Sequence, residues 1–475
     1  MKAHHLLVLA TILPAFATPD SRYLLQRPAM NADRIVFELA GDLWTVSRTG
    51  GTATRLTTGV GVETDPVFSP DGTEIAFTGE YDGNTDVFVV PAGGGVPKRL
   101  TYHPGADYAV TWTPDGKSIV FRSARESHST RYTQLFTIPV AGGLPQPLPL
   151  PLAFSGAYSP DGKRFAYSPT GGGFSFNYTN FVAWRRYRGG LASSISIVNF
   201  PSLETAKIPR DASSDFNPIW MDDKVYFLSD RSGPTTLFRY DPRTNAITEA
   251  VRNSGHDIRS ASAGPGGIVY DQFGELFIYD PHTGKSKQVS VEVAADFSEV
   301  RSHLEDVSRE IRYSRISATG VRALFEAHGE ILSVPASKGD ARDITNTPAV
   351  MERQPAWAPD GEHIAYFSDE TGLYALHVAH QNGAGEIRKF PLLDRAMYYF
   401  DPRWSPDSKL ITFTDSERDI LILNTATKKL TKVDTDPNWD FESDADWSPD
   451  SKWLAYTRSL PNRLNAMFLY SVDSG

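Results

Sequence analysis

Three arginines, Arg122, Arg125 and Arg131, fall in or beside one short stretch, Ser123 to Tyr132. A guanidinium presents a planar fork of N–H donors that fits a carboxylate bidentately, so arginines gathered on a loop suit the terminal carboxylate of a peptide. A second group, Arg185, Arg186 and Arg188, is interleaved with Trp184 and Tyr187. That composition stacks cations on rings and reads as a structural insertion. The other reactive residue types do not converge. No Gly-x-Ser-x-Gly turn occurs, and Ser254-Gly255-His256-Asp257 is one contiguous run, whereas a catalytic triad draws its members from separate elements. The run reads as a loop between repeats. His377 and His380 are three apart on an expected strand, which sends them to opposite faces, as strand histidines and not as a metal pair. Asp82, Asn84 and Asp86 imitate the start of a calcium loop, but the sixth position is Val87 where glycine is needed, and no glutamate closes it. Asp434, Asp436, Asp440, Glu442, Asp444 and Asp446 read as a solvated charged loop. No catalytic residue, metal ligand or cofactor site is therefore expected.

The elements that must position the arginines belong to a repeat. Phe68-Ser69-Pro70-Asp71-Gly72 recurs as Trp112-Thr113-Pro114-Asp115-Gly116, Tyr158-Ser159-Pro160-Asp161-Gly162 and Trp357-Ala358-Pro359-Asp360-Gly361, then with serine last at Trp404 to Ser408 and Trp447 to Ser451. The prolines are spaced 44 and 46 residues apart in the first group and 47 and 43 in the second. Proline presets φ, aspartate bonds nearby backbone, and glycine supplies the left-handed residue that closes a hairpin. An alternating run follows each turn, as in Ile75-Ala76-Phe77 and Ile119-Val120-Phe121. Further strands and Gly-rich turns complete units of four short antiparallel strands. A period of this size with this content predicts an all-β chain of tandem β-propellers.

Counting units, including degenerate turns near Pro218 and Pro265, gives a six-bladed first propeller over residues 22–300. Asp296 to Arg312 carries mixed charge and no turn signal, and marks a boundary. A second propeller is expected over 311–475, with four blades of which the last is unfinished, as in the front part of a longer protein. Lys2, the apolar run Leu6 to Leu13 and Ala15-Phe16-Ala17 form a secretory signal peptide over residues 1–17. An exported chain, periplasmic or secreted, is expected, with a cytoplasmic one as the alternative. No other segment has the ~20 apolar residues of a membrane span. The net charge of −10 and the absence of a basic run argue against nucleic acid as a partner. Cysteine is absent, which removes disulfides and thiolate chemistry.

The run Ser317 to Ile331, continuing through Val334 to Asp340, resembles the tricorn protease family, as do Ile364 to Glu370 and Trp184 to Gly190. The resemblance implies a six-bladed propeller, then a seven-bladed one, here incomplete, ahead of catalytic domains flanking a PDZ-like module. Members of this family are serine peptidases of the S41 type that degrade oligopeptides as homo-oligomers, and their propellers filter and channel the peptides. Their catalytic residues belong to the C-terminal domains, none of which lies in this chain. Arginines of the first propeller hold the substrate's C-terminus in the family, which puts the expectation here on Arg125 and Arg131. Two other readings compete. A stand-alone exported TolB-like propeller would mediate protein–protein interactions, although such chains carry an extra domain ahead of the blades. A prolyl-oligopeptidase-type enzyme would show one propeller and a hydrolase elbow.

Overall fold

A computed structural model describes residues 24–129, 132–171, 192–253, 255–294, 306–347, 350–436, 444–460, 462 and 464–475. The expected signal peptide, Arg131, the Trp184 to Arg188 group and the Asp440–Glu442 part of the acidic loop lie outside them. Among the described residues the chain forms ten antiparallel sheets in sequence order, at 26–55, 62–99, 107–147, 155–207, 215–249, 258–289, 311–343, 352–391, 399–435 and 446–471. Nine have four chain-consecutive strands and the tenth has three, Asp446–Trp447, Trp453–Ser459 and Asn465–Ser471. Val291–Val293 adds to the first sheet in parallel with Gly51–Arg55. No helix among the described residues is long and apolar enough to cross a membrane.

The repeated turn does what its residues dictate. The Ser69 hydroxyl donates to the Asp71 carboxylate (2.6 Å), which also accepts the Thr73 N–H (3.1 Å), and Gly72 takes the left-handed φ of +74°. The Ser69 bond, then those from Thr73, holds Asp71 below the usual carboxylate range. Where serine replaces glycine, Ser408 and Ser451 still adopt φ of +58° and +60°. Their hydroxyls accept backbone N–H groups of the preceding turn, Asp360 N at 3.0 Å and Asp407 N at 3.1 Å. That bond between sheets compensates the left-handed backbone.

The aromatic before each turn joins neighbours. The indole N–H of Trp112 donates to Val67 O (3.0 Å), that of Trp357 to Arg315 O (3.2 Å) and that of Trp447 to Arg403 O (3.3 Å), each in the preceding sheet. Apolar clusters fill the spaces between successive sheets. Phe37, Trp44, Val269 and Leu276 close the series by packing the first sheet on the sixth. The first strands pack on one another around the same circuit, so they are innermost about a common axis.

The last four sheets pack in line through Ile331 with Tyr366, Phe367 with Phe413, and Ile422 with Trp447. Large apolar side chains are exposed at both ends of that series: Ile316 at 74% and Val321 at 62%, then Met467 at 75% and Leu469 at 67%. Repeat units draw stability from burial against neighbours. The last four sheets of this chain are therefore expected to melt and digest before the first six. Limited proteolysis with mass spectrometry should leave a fragment ending within 296–312, whereas uniform resistance with a single melting transition would refute this.

Candidate binding site at the axis of the first six sheets

Charged side chains meet where the innermost strands begin. Arg27 has φ of +45° ahead of Pro28, at a register shift between Gln26–Met30 and Arg34–Leu39. The same device, a left-handed residue before proline at a register shift, recurs at Asp65, Asn217, Gln354 and Asp401. The bulge re-aims its side chain towards the next sheet. Arg27 reaches Glu38 at 2.8 Å and Asp65 of the second sheet at 3.4 Å. The Asn217 amide donates to Ala261 O (2.9 Å), and Gln354 Oε1 accepts Asp401 N–H (2.5 Å). Burial works against the charge of Arg27, but Asp65 and Glu38 outweigh it and raise its pKa. This bulge escaped sequence analysis, although Pro-x-aromatic precedes the turn at Pro66, Pro218, Pro355 and Pro402.

Arg122 lies opposite Tyr108 in the third sheet. Its Cζ is 4.5 Å from the Tyr108 ring centroid and 3.8 Å from that of Phe154, which leads into the fourth sheet. The guanidinium thus makes cation–π contacts with two rings from neighbouring sheets. It is half-buried and forms no ion pair or hydrogen bond among the described residues. Burial pushes its pKa down, Asp65 and Tyr108 pull it back up, and Arg27 repels it. A guanidinium beside two rings, with no N–H group committed among the described residues, can receive a carboxylate.

The structure places Arg125 differently. Its guanidinium pairs with Asp107 at 2.5 Å, its Nε donates to Ser123 Oγ at 3.1 Å, and it lies over Phe121 and Phe136. Arg231 repeats this arrangement two sheets on, with Asp215 at 2.8 Å, Ser229 Oγ at 3.1 Å and the rings of Phe227 and Phe238. Arg122 and Arg125 have different surroundings: the first has no ion pair among the described residues, and the second is paired within its own sheet.

Other residues singled out above have partners of their own. Asp86 accepts from Arg99 (2.5 Å), Thr101 (3.0 Å) and Asn84 (2.7 Å). Asp434 accepts from Tyr456 (2.8 Å) and Arg458 (2.9 Å). His377 is buried beside Tyr366, and that burial lowers its pKa to about 4. His256 stacks on Phe273 at 3.9 Å, and its Nε2 is 3.1 Å from Gly372 O in the eighth sheet, while Ser254 lies outside the described residues. Among the described residues no three His, Cys, Asp or Glu side chains are grouped as a metal site.

Residues 22–285 match the family described as the tricorn protease N-terminal beta propeller domain. The chain is 25% identical over 437 residues to "Tricorn protease homolog 1" of Streptomyces coelicolor, covering 89% of this chain and 39% of that protein. It is 34% identical over 195 residues to "Tol-Pal system protein TolB" of Anaeromyxobacter dehalogenans, covering 37% of this chain and 42% of that one. The crystal structure of the tricorn protease superposes with a TM-score of 0.52 at 19% identity, over 95% of this chain and 44% of that one, a likeness of fold. The matches thus cover less than half the length of each of these relatives. It belongs to the tricorn protease N-terminal β-propeller family.

Proposed function

We propose that this chain is the substrate-handling part of a tricorn-like serine peptidase, receiving oligopeptides and passing them to catalytic and PDZ-like domains that lie outside it, within an exported homo-oligomer. Family membership supports the peptidase context. The observation that carries the binding role is Arg122, a guanidinium beside Tyr108 and Phe154 that has no ion pair or hydrogen bond among the described residues and senses the charges of Asp65 and Arg27 on the innermost strands. Arg125 and Arg131 share the anchoring role in this proposal, Arg125 only if a ligand displaces Asp107. A charge-assisted bidentate contact contributes about 1.5–3 kcal/mol. Arg122→Ala is therefore expected to weaken binding of a short peptide with a free C-terminus by about tenfold or more, with no change for the C-terminally amidated peptide. Calorimetry on this chain makes the comparison, and equal losses for both peptides would remove carboxylate recognition. Arg125→Ala in the same assay tests the second cation.

The TolB match favours a second reading, a propeller that binds folded protein partners. On that reading neither arginine distinguishes free from amidated peptides.

A further inference from the structure

The histidine pairing that matters in the eighth sheet is not the one suggested by sequence proximity. His363 opens the strand His363–Ser368 and His380 closes Ala375–His380, and the two are directly opposite in the antiparallel ladder. Directly opposed residues share a face. Their ring centroids are 6.3 Å apart with an interplanar angle of 74°. A metal–imidazole bond of about 2.0–2.1 Å puts each centroid about 3.2 Å from the ion, so two rings on one ion reach about 6.4 Å centroid to centroid. The observed separation is within that span, and small side-chain rotations shorten it towards a bent chelate.

The partners on the other ring nitrogens fix the tautomers. His363 Nδ1 is 2.8 Å from Asp360 Oδ2, and the Asp360 carboxylate is itself held by the N–H groups of Glu362 (2.8 Å) and His363 (3.0 Å). The carboxylate only accepts, so Nδ1 carries the proton. His380 Nδ1 is 2.6 Å from Asn382 Oδ1, which also accepts the Ala384 N–H at 2.8 Å and is thereby identified as the oxygen. The Asn382 N–H is 3.3 Å from the same Nδ1, a longer contact that gives way to the shorter one. Both histidines then present Nε2 as a bare lone pair, and neither Nε2 has a partner among the described residues. A histidine whose other nitrogen donates to a carboxylate or amide oxygen is arranged as metal-ligating histidines are.

We propose that His363 and His380 form a two-histidine site for a divalent cation of the zinc–copper type, with Asp360 and Asn382 as the groups that orient them. Imidazole nitrogen selects such ions over magnesium or calcium. With two protein ligands the remaining coordination positions go to water, and the ion cross-links adjacent strands.

Zinc alone, titrated calorimetrically into the chelator-treated full chain, tests this. His4 and His5 supply a second imidazole pair, so the reading is the difference between the parent and the variants. His363→Ala and His380→Ala are each expected to remove one equivalent of zinc and the zinc-induced rise in Tm. Asp360→Asn should weaken that equivalent about tenfold. Isotherms unchanged in both histidine variants would overturn the site. As a check that needs no variant, zinc should slow diethyl pyrocarbonate modification of His363 and His380 in the parent, and modification at an unaltered rate would likewise overturn it.

Discussion

Arg125→Ala is expected to lower the stability of the first six sheets by about 3–5 kcal/mol, the cost of leaving one member of a buried ion pair alone. Asp107 is fully buried, and Arg125 is 13% exposed. Asp107 Oδ2 takes the guanidinium, while Oδ1 is buried with no partner among the described residues, so the arginine supplies the neutralisation of that carboxylate. Removing it strands a charge in an apolar setting formed by Phe121 and Phe136. Arg231→Ala should act alike through Asp215, which is equally buried but keeps bonds from Ser213 and Ser229, and so should lose less. Replacing both members of the pair by apolar residues, Asp107→Leu with Arg125→Met, should recover most of the loss. Chemical denaturation of the three variants beside the parent makes the comparison. If Arg125→Ala leaves the midpoint unchanged, the pair is not structural, and the peptide-anchoring reading of Arg125 gains what the packing argument loses.

The distinction between Arg122 and Arg125 shows where sequence reading stops. Turn, following strand and preceding aromatic are contiguous, and each acts through its own backbone, so Trp112-Thr113-Pro114-Asp115-Gly116 announces its geometry without a partner. The tricorn resemblance is likewise carried by contiguous runs and is upheld by the family match. The axial site is made of contacts between sheets. Phe154 follows Arg122 by 32 residues and Asp65 precedes it by 57, and neither interval is fixed by any local rule. The same holds for His363 and His380, which are 17 residues apart. The ladder register pairs them, whereas spacing along one strand offers only His377 with His380, which parity sends to opposite faces. Register also explains the acids. Asp107, Asp215 and Glu352 each stand opposite the last residue of the next strand, at Ser123, Ser229 and Ser368, and Glu63 stands opposite Gly79, two residues before the end of its partner. Two residues further on come Arg125, Arg231, Glu370 and Tyr81. An arginine there makes an ion pair, and its absence leaves the carboxyl to hydroxyl donors.

Glu352 shows the consequence of that absence, as a pH dependence opposite to ordinary acid denaturation. It is 2% exposed, accepts the Thr347 hydroxyl at 2.9 Å and the Ser368 hydroxyl at 3.2 Å, and has no ion-pair partner among the described residues. Burial pushes its pKa up, the Thr347 bond opposes this, and Glu330 adds repulsion, leaving it at about 7. The folded chain therefore holds this proton more tightly than the unfolded chain, where a glutamate titrates near 4.5. The associated stability is fully present below the unfolded value and is lost as pH rises through about 7. Between pH 5 and pH 8 the last four sheets should lose on the order of 2–3 kcal/mol from this group. Asp415, raised by burial to about 6, adds in the same direction. Glu352→Gln keeps a neutral oxygen acceptor for the Thr347 and Ser368 hydroxyls and cannot ionise. It should match the parent near pH 5 and exceed it near pH 8, flattening the slope. Thermal melts of both proteins across that range decide the matter, and parallel profiles would show that Glu352 is ionised throughout and that its buried charge is balanced by other groups.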